Sequence, residues 1–153
     1  MTWQRGSGEI QKLLADGRLE RVLGSAADGT QLLDSARRLL ESAQRESTAN
    51  PEASFVLAYD AARKASAALL AQQGLRTHTG GHHITTEEAV RAQFGGPFGS
   101  FGALRRRRSE IEYPRHPGDE VSPAEAQDAV DSAMGIVNAA GELIGTLTVF
   151  RAQ

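Results

Sequence analysis

The stretch Leu104-Arg105-Arg106-Arg107-Arg108-Ser109-Glu110-Ile111-Glu112-Tyr113-Pro114 sets four consecutive arginines and a tyrosine just ahead of a proline. Guanidinium groups present N–H donors that suit phosphate oxygens, so this is where a nucleic-acid chemistry would sit. At about 3.6 residues per turn, helical phase separates the four arginines. Phe101, Leu104, Arg108 and Ile111 follow steps of three, four and three, which puts Arg108 on the apolar stripe of its own helix. A charge there is costly unless it ends at a seam between helices or subunits, or is paired inside. Arg105 lies close to that edge, whereas Arg106 and Arg107 are expected to point outward as solvated charges. The Pro114 ring disfavours helical geometry at Tyr113, so the helix should stop near Glu112, with the Tyr113 ring swinging back over its last turn. A plainer reading stays open, in which the run is a solvated helix face, Arg108 pairs with Glu112 one turn later and Tyr113 is a capping aromatic.

The frame that must position these groups is helical. Apolar spacing has a helical period nearly throughout, and β-branched residues do not gather into an alternating run before the last few positions. The expected class is all-α, an up-and-down bundle of four to five main helices plus a short N-terminal helix, in one domain over 1–153. Residues 1–28 read as a loose N-terminal edge, with a short helix from about Gly8 to Asp16 that carries Ile10, Leu13 and Leu14 and stops at Gly17. The main helices are expected over 30–48, 51–73, 85–94, 100–113 and 122–146. Asn50-Pro51 supplies an N-cap and a first-turn proline for the second of these, which is apolar almost all round and should be central. Thr85 with Glu88, and Ser122-Pro123 with Glu125, have capping-box spacing.

Composition narrows the classes further. The absence of cysteine removes disulfides and thiolate metal sites and makes a cytoplasmic setting the expectation. No apolar run reaches about 18 residues and the N-terminus carries no charged start followed by an apolar segment, so neither membrane insertion nor secretion is expected. With a formal net charge of -2, attraction for phosphate must come from the local arginine run. His78, His82 and His83 include an i, i+4 pair, but Gly80 and Gly81 interrupt it and no carboxylate follows until Glu87. The segment Leu75 to Ile84 reads as a polar loop that turns at the glycine pair, and no metal or cofactor is expected. A Walker-type phosphate loop is lacking too, since the glycines from Gly95 to Gly102 have neither the lysine nor the strand. Asp60, Arg63 and Lys64 interrupt the central helix; Asp60 pairs with Arg63 or Lys64 along an exposed strip, or reaches a motif arginine.

Four segments together resemble the HEPN superfamily, small helical bundles of bacterial toxin-antitoxin and defence systems. They are Leu13-Leu14-Ala15-Asp16-Gly17-Arg18-Leu19-Glu20, Tyr59-Asp60-Ala61-Ala62-Arg63-Lys64-Ala65, Gly80-Gly81-His82 and Arg105 to Pro114. The likeness is strongest to single-domain HEPN proteins of actinobacterial type. The family hallmark is an arginine, often followed by asparagine, with roughly four to six residues before a histidine. Arg108 matches the arginine, Ser109 stands at the asparagine position and Tyr113 occupies the nearest histidine position, with His116 farther on beyond Pro114. The resemblance implies a HEPN-like bundle that forms a homodimer, with a cleft that binds RNA or a nucleotide. It also implies a metal-independent endoribonuclease chemistry, in which Arg108 would stabilise the charged transition state and Tyr113 would fill the role of the proton-handling histidine. A tyrosine is a poor base at neutral pH, which weakens the nuclease expectation.

On this reading Arg108 and Tyr113 are the catalytic candidates, Ser109 and Glu112 are supporting polar groups, and Arg105, Arg106 and Arg107 contact nucleic acid. The resemblance also implies an alternative, a non-catalytic partner module of a nucleotidyltransferase, with Tyr113 as an AMP-accepting side chain. The third reading is a plain structural bundle whose arginines face solvent or acidic protein surfaces.

Overall fold

The computed structural model describes residues 3–78 and 82–151. Helix α1, Ser7–Ala15, leads into a short strand β1, Leu19–Arg21; α2, Thr30–Glu46, and α3, Pro51–Gln72, follow, then strand β2, Leu75–Thr77. Helices α4, His82–Phe94, α5, Phe101–Glu112, and α6, Pro123–Leu143, complete the bundle. A single 3-10 turn, Gly96–Ser100, joins α4 to α5.

Helix α3 is the centre because its sequence lets everything else approach. Ala58, Ala61, Ala62, Ala65 and Ala68 are fully buried, and α2, α4, α5 and α6 all pack against this helix. Its start follows the sequence expectation: the Asn50 side chain accepts from Ala53 N at 3.1 Å, with Pro51 in the first turn. The four-residue connection 47–50 folds α3 back along α2. The start of α2 needs Gly29, where a β-carbon would collide with the Ala68 carbonyl of α3. Helix α6 begins at the expected Ser122 cap, whose Oγ accepts from Glu125 N at 3.1 Å. Only half of that capping box forms, because the Glu125 carboxylate turns to Arg107 instead.

Three elements differ from the sequence expectation. The protein is mostly helical, but β1 and β2 form a small antiparallel ladder with Leu19 opposite Thr77 and Arg21 opposite Leu75. Each strand has three residues and a single inward leucine, too short for a two-residue period to register. The outward pairs Arg76–Glu20 and His78–Glu20 (3.3 Å) reinforce it.

The N-terminal residues are tied down rather than loose. Ile10 and Leu13 are buried, α1 packs against α4 and β1, and Trp3 Nε1 donates to Gln93 O at 3.0 Å. Burial of α1 against partners distant in sequence is what a local reading of residues 1–28 cannot register.

Helix α4 starts at His82, three residues before the expected start. The Thr85 and Glu88 capping box therefore does not exist; Thr85 Oγ1 accepts from Arg18 Nη2 at 3.0 Å and Glu88 pairs with Arg18 Nη1 at 2.9 Å. His82 and His83 consequently lie on a helix rather than in the polar loop, while Gly80 and Gly81 lie outside the described residues.

No helix among the described residues is long and apolar enough to cross a membrane. The segment after α6 returns to the core at Phe150, which is fully buried; its N–H donates to Gln73 O at 2.9 Å and its carbonyl accepts from Arg21 Nη1 at 2.7 Å.

Candidate functional site

The helix carrying the arginines is set by its apolar residues. Phe101, Leu104 and Ile111 are buried, so the side chains between them are dealt out to the two flanks of α5. On the flank toward α6, Arg107 is enclosed by carboxylates. Its Nε and Nη2 reach Glu125 at 2.7 and 3.2 Å, and its Nη1 reaches Asp119 at 3.0 and 3.2 Å and Glu110 at 3.3 Å. These partners, Glu125 first and Asp119 next, raise the Arg107 pKa above its already high ordinary value. The expectation that Arg107 is a solvated outward charge is thus corrected: only 18% of its side chain is exposed, and it clamps the loop 113–122 and the start of α6 to α5. The capping glutamate Glu125 draws it inward, a tertiary contact that phase within α5 does not contain. Arg106 does point outward.

On the other flank, Arg105 and Arg108 face α3 and α4. Arg105 Nε donates to Glu87 Oε2 at 2.8 Å, and Glu87 is itself buried, with Arg91 at 3.4 Å from its other oxygen. A β-carbon at Gly102 would collide with Glu87 Oε1, so the glycine makes room for this carboxylate. Arg108 Nη1 meets Glu112 Oε2 at 2.6 Å, the one-turn pair of the plainer reading, and its side chain is half-buried rather than open to solvent. Arg105 and Arg108 each commit one nitrogen to a carboxylate among the described residues. Other N–H donors of each guanidinium are thereby left for a further acceptor.

Tyr59 and His83 complete this flank. The Tyr59 ring, buried on α3, meets Phe101 edge-on at 5.9 Å and lies nearly parallel to the His83 imidazole at 5.7 Å, and the phenol and His83 Nδ1 are hydrogen-bonded. Burial pushes the Tyr59 pKa up to about 12, opposed by Arg63, Arg105 and Arg108 and reinforced by Asp60. Four charged side chains therefore act on one phenol. One helical turn from Tyr59, Arg63 Nε lies 3.9 Å from Asp60 Oδ1, too far for a hydrogen bond. This Nε is buried and has no hydrogen-bond partner among the described residues. The expected Asp60–Arg63 pairing is present in this loose form, and Lys64 instead donates to Ser35 Oγ at 3.0 Å.

Tyr113 departs from its expected pose. It caps α5 through its N–H to Ser109 O at 3.0 Å, but 73% of the residue is exposed, so the ring does not fold back over the last turn. The backbone there (φ -126°, ψ 72°) leaves the helix as a residue before proline should, and loop 113–122 is held by Arg107 elsewhere. Ser109 and Glu112 are exposed, and His116 sits in the exposed loop with its ring against the Pro117 carbonyl at 3.4 Å.

Arg105 and Arg108 are thus brought together with Tyr59, Arg63 and His83, three residues absent from the sequence-derived site. The i, i+4 spacing of Tyr59 and Arg63 on one helix was a usable signal for two of them. His83 gave none, because its segment reads as a loop. No group of three or more acidic, histidine or cysteine side chains suited to a metal ion occurs among the described residues. A mainly apolar cavity of about 270 Å³ opens elsewhere, between Val22, Leu32, Leu70 and Leu75, about three helical turns along α3 from Tyr59. Compared with family models, curated proteins and solved structures, the chain has no match.

Proposed function

We propose that this protein is a HEPN-type domain that binds RNA or a nucleotide, taking a phosphate group on the α3/α4 flank of α5. The observation that carries this reading is the grouping of Arg63, Arg105 and Arg108 around the buried Tyr59, which is hydrogen-bonded to the half-buried His83. Three half-buried guanidiniums, one with an unsatisfied buried nitrogen, suit an anion with several acceptor oxygens. Glu112, half exposed, is the removable partner: a phosphate oxygen can replace its carboxylate on Arg108, whereas buried Glu87 stays to hold Arg105 in place. The domain acts as a homodimer in a toxin-antitoxin or defence setting, and its chemistry, where present, is metal-independent RNA cleavage.

The test is a titration of single-stranded RNA against the wild type and Arg108→Ala at several salt concentrations. Loss of one phosphate contact should flatten the dependence of log affinity on log salt by about one unit. An unchanged affinity and slope would remove the reading.

Tyr113 favours a second reading. Its 73% exposure at the end of α5 leaves the ring accessible to another protein, as a non-catalytic partner module of a nucleotidyltransferase would require. A labelled AMP-transfer assay with a nucleotidyltransferase encoded beside this protein checks it: label on Tyr113 that vanishes in Tyr113→Phe supports the reading, and label elsewhere or none rejects it.

A further inference from the structure

Helix α3 is enclosed over most of its length, yet its alanines are not all covered. Ala58, Ala61, Ala62, Ala65 and Ala68 are fully buried, whereas Ala67 and Ala71, one turn apart on one face, stay half-buried. Beside them lies the mainly apolar cavity of about 270 Å³, walled by Leu70 of α3, Leu32 of α2, Val22 after β1 and Leu75 of β2. The two alanines leave the space that longer side chains would fill. An apolar cavity of about 150 Å³ already holds benzene, so this one has room for a ring with a short chain. Such a hollow is unusual in a close-packed interior, and an apolar body that displaces its water gains burial.

Two charged side chains among the described residues line the cavity, and they differ in their partners. Arg76 Nε donates to Glu20 Oε1 at 2.6 Å, so its charge is matched within the strand ladder. Asp28 accepts at Oδ1 from Thr30 N at 2.8 Å, and no cationic side chain among the described residues pairs with it. Hydrogen bonding from Thr30, through its backbone first and its hydroxyl next, holds the Asp28 carboxyl below the usual carboxylate range, so it is ionised at neutral pH. The carboxylate is also fixed in place. Gly29 beside it donates its N–H to Gln72 Oε1 at 3.0 Å and sits against the Ala68 carbonyl, while Val22 N donates to Gly74 O at 2.8 Å. Both sides of the mouth are thereby tied to the end of α3 and the turn after it, which prepares the site before a ligand arrives.

From this combination we infer that the cavity binds a small apolar amine, with its apolar body between Leu32, Leu70 and Leu75 and its ammonium on Asp28. This site stands about three helical turns along α3 from Tyr59 and needs nothing from the arginine flank. An ammonium suits Asp28 because the ligand brings the counter-charge that the chain does not provide. A carboxylate ligand would meet the Asp28 charge unpaired and find Arg76 already neutralised by Glu20.

The experiment titrates the full-length protein, labelled at its valine and leucine methyl groups, with 2-phenylethylamine, 2-phenylethanol and 3-phenylpropanoate, and follows the methyl shifts by NMR. The three probes share a ring and a short chain and differ in head group. The amine should move the methyls of Val22, Leu32, Leu70 and Leu75 and bind about fivefold more tightly than the alcohol, the yield of an ion pair at an exposed carboxylate. The carboxylate probe should bind more weakly than the alcohol. Asp28→Asn, which keeps an acceptor for Thr30 N, should reduce amine affinity to that of the alcohol and leave the alcohol unchanged. Ala71→Leu, which fills the cavity from a half-buried position, should abolish binding of all three. Should Ala71→Leu lose its helical circular dichroism, nuclear Overhauser effects from the probe ring to the Leu70 and Leu75 methyls of the wild type place the ligand instead, and their absence counts against the site. Unmoved methyls, an amine that binds no better than the alcohol, a carboxylate preferred to both, an Asp28→Asn that keeps the amine preference, or a folded Ala71→Leu that binds as the wild type does would each overturn the inference.

Discussion

On one flank of α5, Arg107 is surrounded by Glu110, Asp119 and Glu125; on the other, Arg105 and Arg108 meet one carboxylate each and share their space with Arg63, Tyr59 and His83. The residue type is the same and the helix is the same. What differs is saturation. All three nitrogens of Arg107 are engaged by protein carboxylates, so that guanidinium holds a loop and a helix start in place. The opposite flank holds more guanidinium donors than carboxylate acceptors within reach, which is the condition for recruiting an anion from outside. A basic run in a sequence is therefore not a uniform patch, and its function divides with helical phase.

The contrast can be broken most forcefully at Glu87. Glu87→Ala removes a buried carboxylate and leaves Arg105 without its partner, which should destabilise the fold by roughly 2–3 kcal/mol in denaturant unfolding and weaken RNA binding too. Gly102→Ala attacks the same contact from the other side through its clashing β-carbon, and should cost about 1–3 kcal/mol.

Alkaline titration sharpens the picture of the phenol. The unfolded chain gives up the Tyr59 proton near pH 10, while the folded chain keeps it to about 12. Between those values the unfolded state binds fewer protons, so stability present below pH 10 is lost as pH rises, by roughly 2 kcal/mol at the upper end. Tyr59→Phe should remove that alkaline loss; identical unfolding midpoints for the two proteins across this range would contradict the burial of the phenol.

Arg107→Ala should lower stability by about 1 kcal/mol, a discounted figure because its carboxylates remain partly hydrated, and should leave RNA affinity unchanged. Arg106→Ala is the smallest change, with less than about 0.5 kcal/mol on stability, as for an ordinary surface side chain.

Much of the frame was legible in the sequence because it rests on local signals. Asn50-Pro51 and Ser122-Pro123 mark helix starts through their own side chains and backbone, and the alanine-rich run from Ala58 to Ala68 identifies the central helix by composition. The β1/β2 ladder escaped because three-residue strands are stabilised by pairing across more than fifty residues, which no local period contains. For the site, helical phase rightly kept Arg108 out of bulk solvent but also assigned Arg107 to it, since the pull of Glu125 comes from another helix. His83 was hidden for a related reason. The glycine pair before it suggests a loop, yet α4 extends back to His82, and only that extra turn brings the imidazole to Tyr59.

The most direct test of two unlike flanks on one helix is a side-by-side measurement of RNA affinity for Arg108→Ala and Arg107→Ala, at one salt concentration and with folding checked by circular dichroism. The account predicts that Arg108→Ala loses about tenfold or more in affinity, the equivalent of a charge-assisted phosphate contact, while Arg107→Ala binds as the wild type does. Equal losses in the two variants, or a loss confined to Arg107→Ala, would contradict it.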